Sequence, residues 1–351
     1  MSGLKEGLTT GTCATAAAKG AARLFIEGVT VQSVDVGLPG GRRETLEVFD
    51  VVKVNDHASA SVIKDSGDDP DVTNGMTIKV TVSNYDGEGI KFEAGEGVGR
   101  VTKKGLSIQP GEPAINPVPR VMIRDAIREV TDRSLTVTVS IVDGERVGAK
   151  TFNPRLGIVG GLSILGTTGI VRPYSHPAIK ESLRCLLNVA IAGGAERPAF
   201  TAGNIGTRAA VSLGMPKEHI VEVGNEWGFM LDSLEGNRIK SLLAIGHPGK
   251  LVKLIAGDWD THSSRSKSAI PTLVSIYKEL FNSEPEDNQT AEGFFKSLDK
   301  SKMEEFAAYV SVKIVKAIEE RLNGKIKITV ALINMECVII GHSGGLEEWR
   351  A

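Results

Sequence analysis

The chain has 351 residues, of which 41% are hydrophobic and 24% charged, and its formal net charge is -2. This is ordinary globular composition, which excludes disorder as the main state, and the length suffices for two domains with separate cores. So small a net charge gives no overall field to draw the chain to nucleic acid or an anionic membrane, so any anionic ligand must be met by local groups.

The opening "MSGLKEG" lacks the apolar core of a signal peptide, and no apolar run nears the roughly 20 residues of a membrane-spanning helix. A cytoplasmic protein with no membrane or nucleic-acid partner is expected. Cys13, Cys185 and Cys337 are far apart and form no CxxC pair, so neither a disulfide framework nor a cysteine zinc site follows. The 40 glycines gather in short clusters between apolar segments, where the chain must turn tightly or approach a ligand.

In chain order, "TCATAAAKGAARLFI" reads as a helix, with Thr9, Thr10 and Thr12 as possible caps and Ala17, Ala21, Leu24 and Phe25 near one face. The period then changes to two. "VTVQSVDVGL", "ETLEVFDVVKV", "HASASVIKD", "MTIKVTVSNY" and "SLTVTVSIV" are strand-like, and one helix, "VPRVMIRDAIREVTD", interrupts them. Residues 1–150 are therefore expected to form an α+β domain with a largely antiparallel or mixed sheet.

Residues 151–351 follow another rhythm and predict an α/β domain with a mainly parallel, Rossmann-like sheet. After a helix over 177–192, the segments "PAFTAGNIG", "HIVEVGNEWG" and "SLLAIGHPG" each run an apolar strand into a glycine and a polar residue before a helix. The glycines Gly203, Gly224 and Gly246 are 21 and 22 residues apart, the length of one strand, one helix and two loops. In a parallel sheet such loops share one edge, so Asn204, Asn225 and His247 should face the same cleft. A helical segment over 291–322 and a closing strand, "KIKITVALI", complete the chain.

Several segments carry candidate chemistry. The loop containing Gly203, Asn204 and Gly206, followed by Gly224, Asn225 and Glu226, weakly resembles a nucleotide site in which glycines admit the ligand and an acid holds ribose hydroxyls. "GHPGKLVKLIAGDWDTHS" concentrates His247, Lys250, Lys253, Asp258, Asp260 and His262, with Lys250 suited to an anionic group and no compact metal spacing. "GEGVGRVTKKGL" has the look of a glycine-rich anion loop with Arg100 and Lys103 nearby, yet no helix follows it, and a β-bulge or turn series under a lysine-covered surface is the preferred reading. "GDDPDVTNG" holds Asp68, Asp69 and Asp71 around Pro70; turn geometry accounts for them, and so does acid–base work by carboxylates that raise one another's pKa. Cys13, near a helix start, reads as a small hydrophobe more readily than as a thiolate.

Taken together, "LTTGTCATAAAKGAA", "GDDPDVTNG", "GEGVGRVTKKGL", "GEPAINPVPR", "NPRLGIVGGLSILGTTGIV" and "GHPGKLVKLIAGDWDTHS" resemble, in content and order, the blocks of the CbiD family, the cobalt-precorrin-5B C(1)-methyltransferases of cobalamin biosynthesis. The resemblance implies an enzyme that uses S-adenosylmethionine to methylate ring carbon 1 of an anionic cobalt-tetrapyrrole. The cobalt then belongs to the substrate, and no protein metal site is required. It further implies Arg100, Lys103, Arg120, Arg155, Arg172 and Lys250 as clamps for the ring's acid side chains, and Gly203, Asn204, Gly206, Gly224, Asn225 and Glu226 around the adenosyl group. Asp68 or Asp69 becomes the proton acceptor or the partner of the sulfonium, with His247, Asp260 and His262 as rivals. Neighbouring corrin-pathway enzymes are possible partners. A non-catalytic carrier of the same tetrapyrrole stays open, as does a nucleotide-binding enzyme, although GxxxxGK[ST] is absent.

Overall fold

A computed structural model describes residues 3–349, and its first helix shows what the early alanines are for. Thr9 Oγ1 accepts from the Thr12 N–H at 3.2 Å and starts α1 (Thr10–Glu27) after a two-residue strand, β1 (Gly7–Leu8). Thirteen residues of α1 are buried, on more than one face. Such a helix must be enclosed, and its small side chains let neighbours approach closely. A Cβ on Gly20 would lie 3.4 Å from Ala60 and 3.5 Å from Val48.

The chain divides into two compact units, Met1–His176 and Pro177–Ala351. In the first, β2 (Ser33–Gly37) and β3 (Arg43–Glu47) form a hairpin. The main sheet comprises β4 (Phe49–Val54), β5 (His57–Ile63), β6 (Thr77–Asn84), β7 (Ile90–Ala94) and β9 (Leu135–Ile141), with β8 (Arg100–Val101) lying outside it. Its order is β4-β5-β6-β9-β7, antiparallel except where β7 runs parallel to β9. Helix α2 (Pro117–Arg128) packs on α1, which itself lies against β5 and β6. Strand β9 buries Leu135, Val137, Val139 and Ile141 and leaves the alternate residues partly exposed, the pattern of a sheet covered on one face.

The boundary falls at His176 rather than near residue 150. Beyond the short helices α3 (Gly144–Gly148) and α4 (Asn153–Leu156), strand β10 (Ile158–Val159) pairs with β8, and β11 (Ile170–Val171) pairs with β1. Leu162 and Ile164 join the first core. The same pairings explain "GEGVG", which is not an open anion loop. A Cβ on Gly97 would lie 2.0 Å from Ile141 O, and one on Gly144 or Gly161 would lie 2.2 Å from Gly97 O. Here glycine serves backbone-to-backbone packing.

In the second unit α5 (His176–Ala192) precedes β12 (Ala199–Thr201), α6 (Asn204–Ser212), β13 (Ile220–Glu222), α7 (Trp227–Asp232), β14 (Ser241–Gly246) and α8 (Pro248–Leu251). After α9 (Ile270–Phe281), the expected helix over 291–322 is two, α10 (Ala291–Lys296) and α11 (Lys300–Arg321), because Asp299 Oδ1 accepts from the Lys302 N–H at 3.0 Å and restarts the helix. The closing strand β15 (Lys327–Ile333) lies parallel beside β14, and β16 (Ile339–His342) is an antiparallel edge. The sheet order is β13-β12-β14-β15-β16, with the first four parallel. Every residue of β14 is buried, as a strand covered on both faces requires. The whole is a mixed α/β chain with two five-stranded sheets. Among the described residues no helix is long and apolar enough to cross a membrane.

Gly97 has φ 73° and no room for a Cβ, so Gly97→Ala is expected to destabilise the protein by about 2–4 kcal/mol in urea unfolding. Gly40, with φ 90° and nothing within 4 Å of a Cβ, should lose only about 1 kcal/mol on the same change. Equal losses would show that crowding at Gly97 is unimportant.

Candidate functional site

The parallel strands of the second unit deliver their loops to one edge. Gly203 follows β12 with φ 141° and ψ -172°, a conformation open essentially to glycine alone, and α6 starts there without a side-chain cap. Asn204, its first residue, is exposed. Gly206, in the first turn, lies so near β14 that a Cβ would stand 2.9 Å from Ile245 O. After β13, Gly224 has φ 59°, Asn225 is half-buried, and Glu226 is only 7% exposed.

The polar groups there form a network. Lys250 Nζ donates to Asn225 Oδ1 at 2.5 Å and to Thr261 O at 3.4 Å, so the loop after β14 reaches the loop after β13 on the other side of β12. Thr261, fully buried, donates its N–H to Asn225 O at 3.1 Å. Asp260 accepts from Arg265 Nε at 2.5 Å and from the His262 N–H at 3.0 Å. Glu226 lies 3.8 Å from both Lys180 Nζ and Arg265 Nη2. Burial, and then the charge of Lys253, hold Lys250 below the usual lysine range, against the opposing pull of Asp260.

The histidines divide. His247 Nδ1 accepts from the Gly249 N–H at 3.1 Å, which puts the proton on Nε2, 3.0 Å from Glu292 Oε2. Both ring nitrogens are engaged, Nδ1 as the cap of α8 and Nε2 with Glu292. His262 Nδ1 meets Ser264 Oγ at 2.8 Å on an exposed turn. At the opposite, amino edge a cavity of about 200 Å³ is lined by Asp232, Glu235, Arg321 and Lys325. Those charges already pair with one another, Arg321 with Asp232 and Lys325 with Glu235. Among the described residues no three His, Cys, Asp or Glu side chains gather as metal ligands.

In the first unit "GDDPDVTNG" is a turn whose three carboxylates each accept from a backbone N–H. Asp68 Oδ2 accepts from Lys5 at 2.6 Å, Asp69 Oδ1 from Tyr174 at 3.2 Å, and Asp71 Oδ1 from Thr73 at 2.8 Å. The group that sequence reasoning missed is Lys64, only 1% exposed, whose Nζ meets Ser66 Oγ and, at 2.8 Å, Asp71 Oδ2. The signal was present, because Lys64 follows Ala58, Ala60 and Val62 in the two-residue period of β5 and so shares its apolar face, in a strand buried from Ala58 to Val62. Burial alone would raise the Asp71 pKa, but the Lys64 ammonium and the Thr73 hydrogen bonds outweigh it and hold the carboxyl below its usual range. Cys13 is fully buried and its thiol is pushed up to about 12 by that burial, which disfavours a thiolate.

The proposed arginine clamps do not form one group. Arg100 and Lys103 lie on and after β8, with Lys103 over Gly157, while Arg155 stands over the Phe152 ring at 6.0 Å. Arg172 is exposed and donates to Glu6 Oε1 at 2.9 Å. Arg120 is tied down, donating to Ile115 O at 2.8 Å and Pro113 O at 3.2 Å and pairing with Glu112 at 2.7 Å. Its guanidinium is a structural brace.

Comparison with known proteins adds an independent line. The family model CbiD matches residues 1–173. The chain is 44% identical to the cobalt-precorrin-5B C(1)-methyltransferase of Syntrophotalea carbinolica, with 100% of each chain covered. It is 39% identical to the protein of the same name from Methanocaldococcus jannaschii over 96% of each. A crystal structure of the cobalamin biosynthesis protein CbiD from Archaeoglobus fulgidus aligns at 31% identity over 75% of this chain and 83% of that one, with a TM-score of 0.41.

Asp71→Asn strands the buried Lys64 charge and is expected to lower stability by about 2–4 kcal/mol near neutral pH. Folding depresses the Asp71 pKa, so its contribution is complete above the unfolded value of about 4 and is lost as pH falls through the lower folded value. The stability gap between wild type and variant in urea should therefore close below about pH 4; a gap that persists there would contradict the pairing.

Proposed function

The chain belongs to the CbiD family, and from that premise we propose that it methylates ring carbon 1 of cobalt-precorrin-5B with S-adenosylmethionine, giving cobalt-precorrin-6A and S-adenosylhomocysteine. Full-length identity of 44% to a protein of that name carries the reading. The cobalt is part of the substrate.

Bound S-adenosylmethionine supplies a methyl group on a positively charged sulfur, and the chain's task is to hold two large ligands at attack distance and orientation. We assign the donor to the carboxyl edge of the second unit, read as a Rossmann-like sheet. Three observations favour this. The strand order reverses between the parallel neighbours β12 and β14, the position at which doubly wound sheets take their ligands. Gly203 leaves a bare, uncapped helix start there. Glu226 is a buried acid at the same edge, suited to ribose hydroxyls.

The first unit is assigned to the tetrapyrrole. Arg100, Lys103, Arg155 and Arg172, from separate elements of the unit, are the contacts we assign to its acid side chains, since guanidinium forks suit carboxylates. Arg120 supports them from behind as a positioning residue. A proton must leave the ring as methylation completes, and Asp68 or Asp69 is the proposed acceptor, ahead of Asp260 and His262. The Asp68 carboxylate is exposed and its backbone partner, Lys5 N–H, fixes its direction.

Incubation of the purified protein with cobalt-precorrin-5B and methyl-labelled S-adenosylmethionine is expected to give a product carrying one label. A tetrapyrrole carrier would return the substrate unlabelled. Asp68→Asn or Asp69→Asn should lower turnover by about 10²- to 10⁴-fold while tetrapyrrole binding is kept; folded variants that both retain full turnover would remove this pair from the reaction.

A further inference from the structure

Two ammonium groups stand together at the carboxyl edge of the second sheet without a counter-ion. Lys253 is only 8% exposed, and its Nζ donates to neutral oxygens, Thr261 O at 3.2 Å and Ser266 Oγ at 2.8 Å. Lys250 Nζ donates to the same Thr261 carbonyl and to the amide oxygen of Asn225. Among the described residues neither lysine forms an ion pair with an aspartate or glutamate. The nearby acids are engaged elsewhere, Asp260 with Arg265 and Glu226 between Lys180 and Arg265.

Taking an ammonium out of water without an opposite charge is unfavourable, and a like charge beside it makes it more so. The chain provides for this where it buries a lysine for structure, since Lys64 has Asp71. The contrast at Lys250 and Lys253 calls for an anion that comes from outside the chain. Burial and the charge of Lys253 likewise hold the Lys250 pKa below the usual lysine range, against the weaker opposing pull of Asp260.

We propose that Lys250, with Lys253 behind it, is the seat of a ligand carboxylate, and that this carboxylate is the amino-acid end of S-adenosylmethionine. The proposal rests on the assignment of the methyl donor to this edge. Lys250 is the more exposed of the pair and makes the contact, while Lys253 adds a second positive charge and holds the Thr261 carbonyl. Asn225 Oδ1, released from Lys250 and keeping its hydrogen bond from Thr261 Oγ1 at 3.3 Å, then has a second lone pair for the ligand's own ammonium. An acid side chain of the tetrapyrrole is the other possible source of a carboxylate, and the test separates the two.

The full chain is titrated calorimetrically with S-adenosylhomocysteine and with 5′-methylthioadenosine, which keeps the adenosine and sulfur but lacks the carboxylate. Lys250→Met should weaken S-adenosylhomocysteine binding by about tenfold or more and leave methylthioadenosine within about twofold. Lys250→Arg should restore most of the difference. Equal weakening of both ligands, or no weakening of either, overturns the proposal, as does failure of the wild type to bind S-adenosylhomocysteine. Weakened binding of cobyrinic acid with unchanged S-adenosylhomocysteine binding would also overturn it, by giving the carboxylate to the tetrapyrrole. Gly203→Val tests the underlying assignment separately. If it spares both nucleosides, the donor lies elsewhere; if it abolishes both while Lys250→Met changes neither, only the lysine proposal fails.

Discussion

Parallel strands leave their following loops at one edge, and in the second unit that constraint makes distant residues neighbours. Asn225, Lys250 and Thr261 come from separate loops, yet they share hydrogen bonds because β13, β12 and β14 are adjacent and parallel. Just beyond β12 stands Gly203, where the backbone takes a conformation that a side chain would oppose. A large donor molecule needs such an approach to bare backbone, and a methyl transfer needs little covalent chemistry from the protein beyond orientation.

The first unit depends on a different device, the close approach of backbone to backbone. Thr10 Oγ1 accepts from the Leu165 N–H at 2.9 Å, and Thr12 Oγ1 donates to Gly169 O at 2.7 Å, so the start of α1 is fastened to the segment carrying β11. On its other side, the Leu8 N–H reaches Asp65 O at 2.7 Å, and a Cβ on Gly67 would meet Lys5 O at 2.2 Å. The short polar and glycine-rich blocks thus hold one another in register. Asp68 and Asp69 are oriented by that framework through the Lys5 and Tyr174 N–H groups.

The sequence made the regular elements readable where side chains declare a period. "SLTVTVSIV" alternates because β9 is covered on one face, and the repeated strand-to-glycine units predict loops on one edge because helices must return each strand parallel to the last. Elements without a period of their own escaped. β7 is a five-residue strand between glycine-rich turns, and β16 follows a tight turn built on Asn334. The unit boundary was misplaced because two-residue pairings, β10 with β8 and β11 with β1, leave no mark in composition. Site chemistry was harder still. His247 reads as a candidate base until its two ring nitrogens are seen to be engaged, and that Lys253 meets only neutral oxygens is visible only in three dimensions.

The most direct test of the account is amide hydrogen exchange on the full chain with and without S-adenosylhomocysteine, since protection reports where a bound ligand closes the backbone to solvent. The account predicts new protection in the loops over 201–207, 223–228 and 246–253, at the carboxyl edge of the second sheet. Protection confined to residues 5–12 and 66–70 of the first unit would place the donor on the wrong sheet and contradict it.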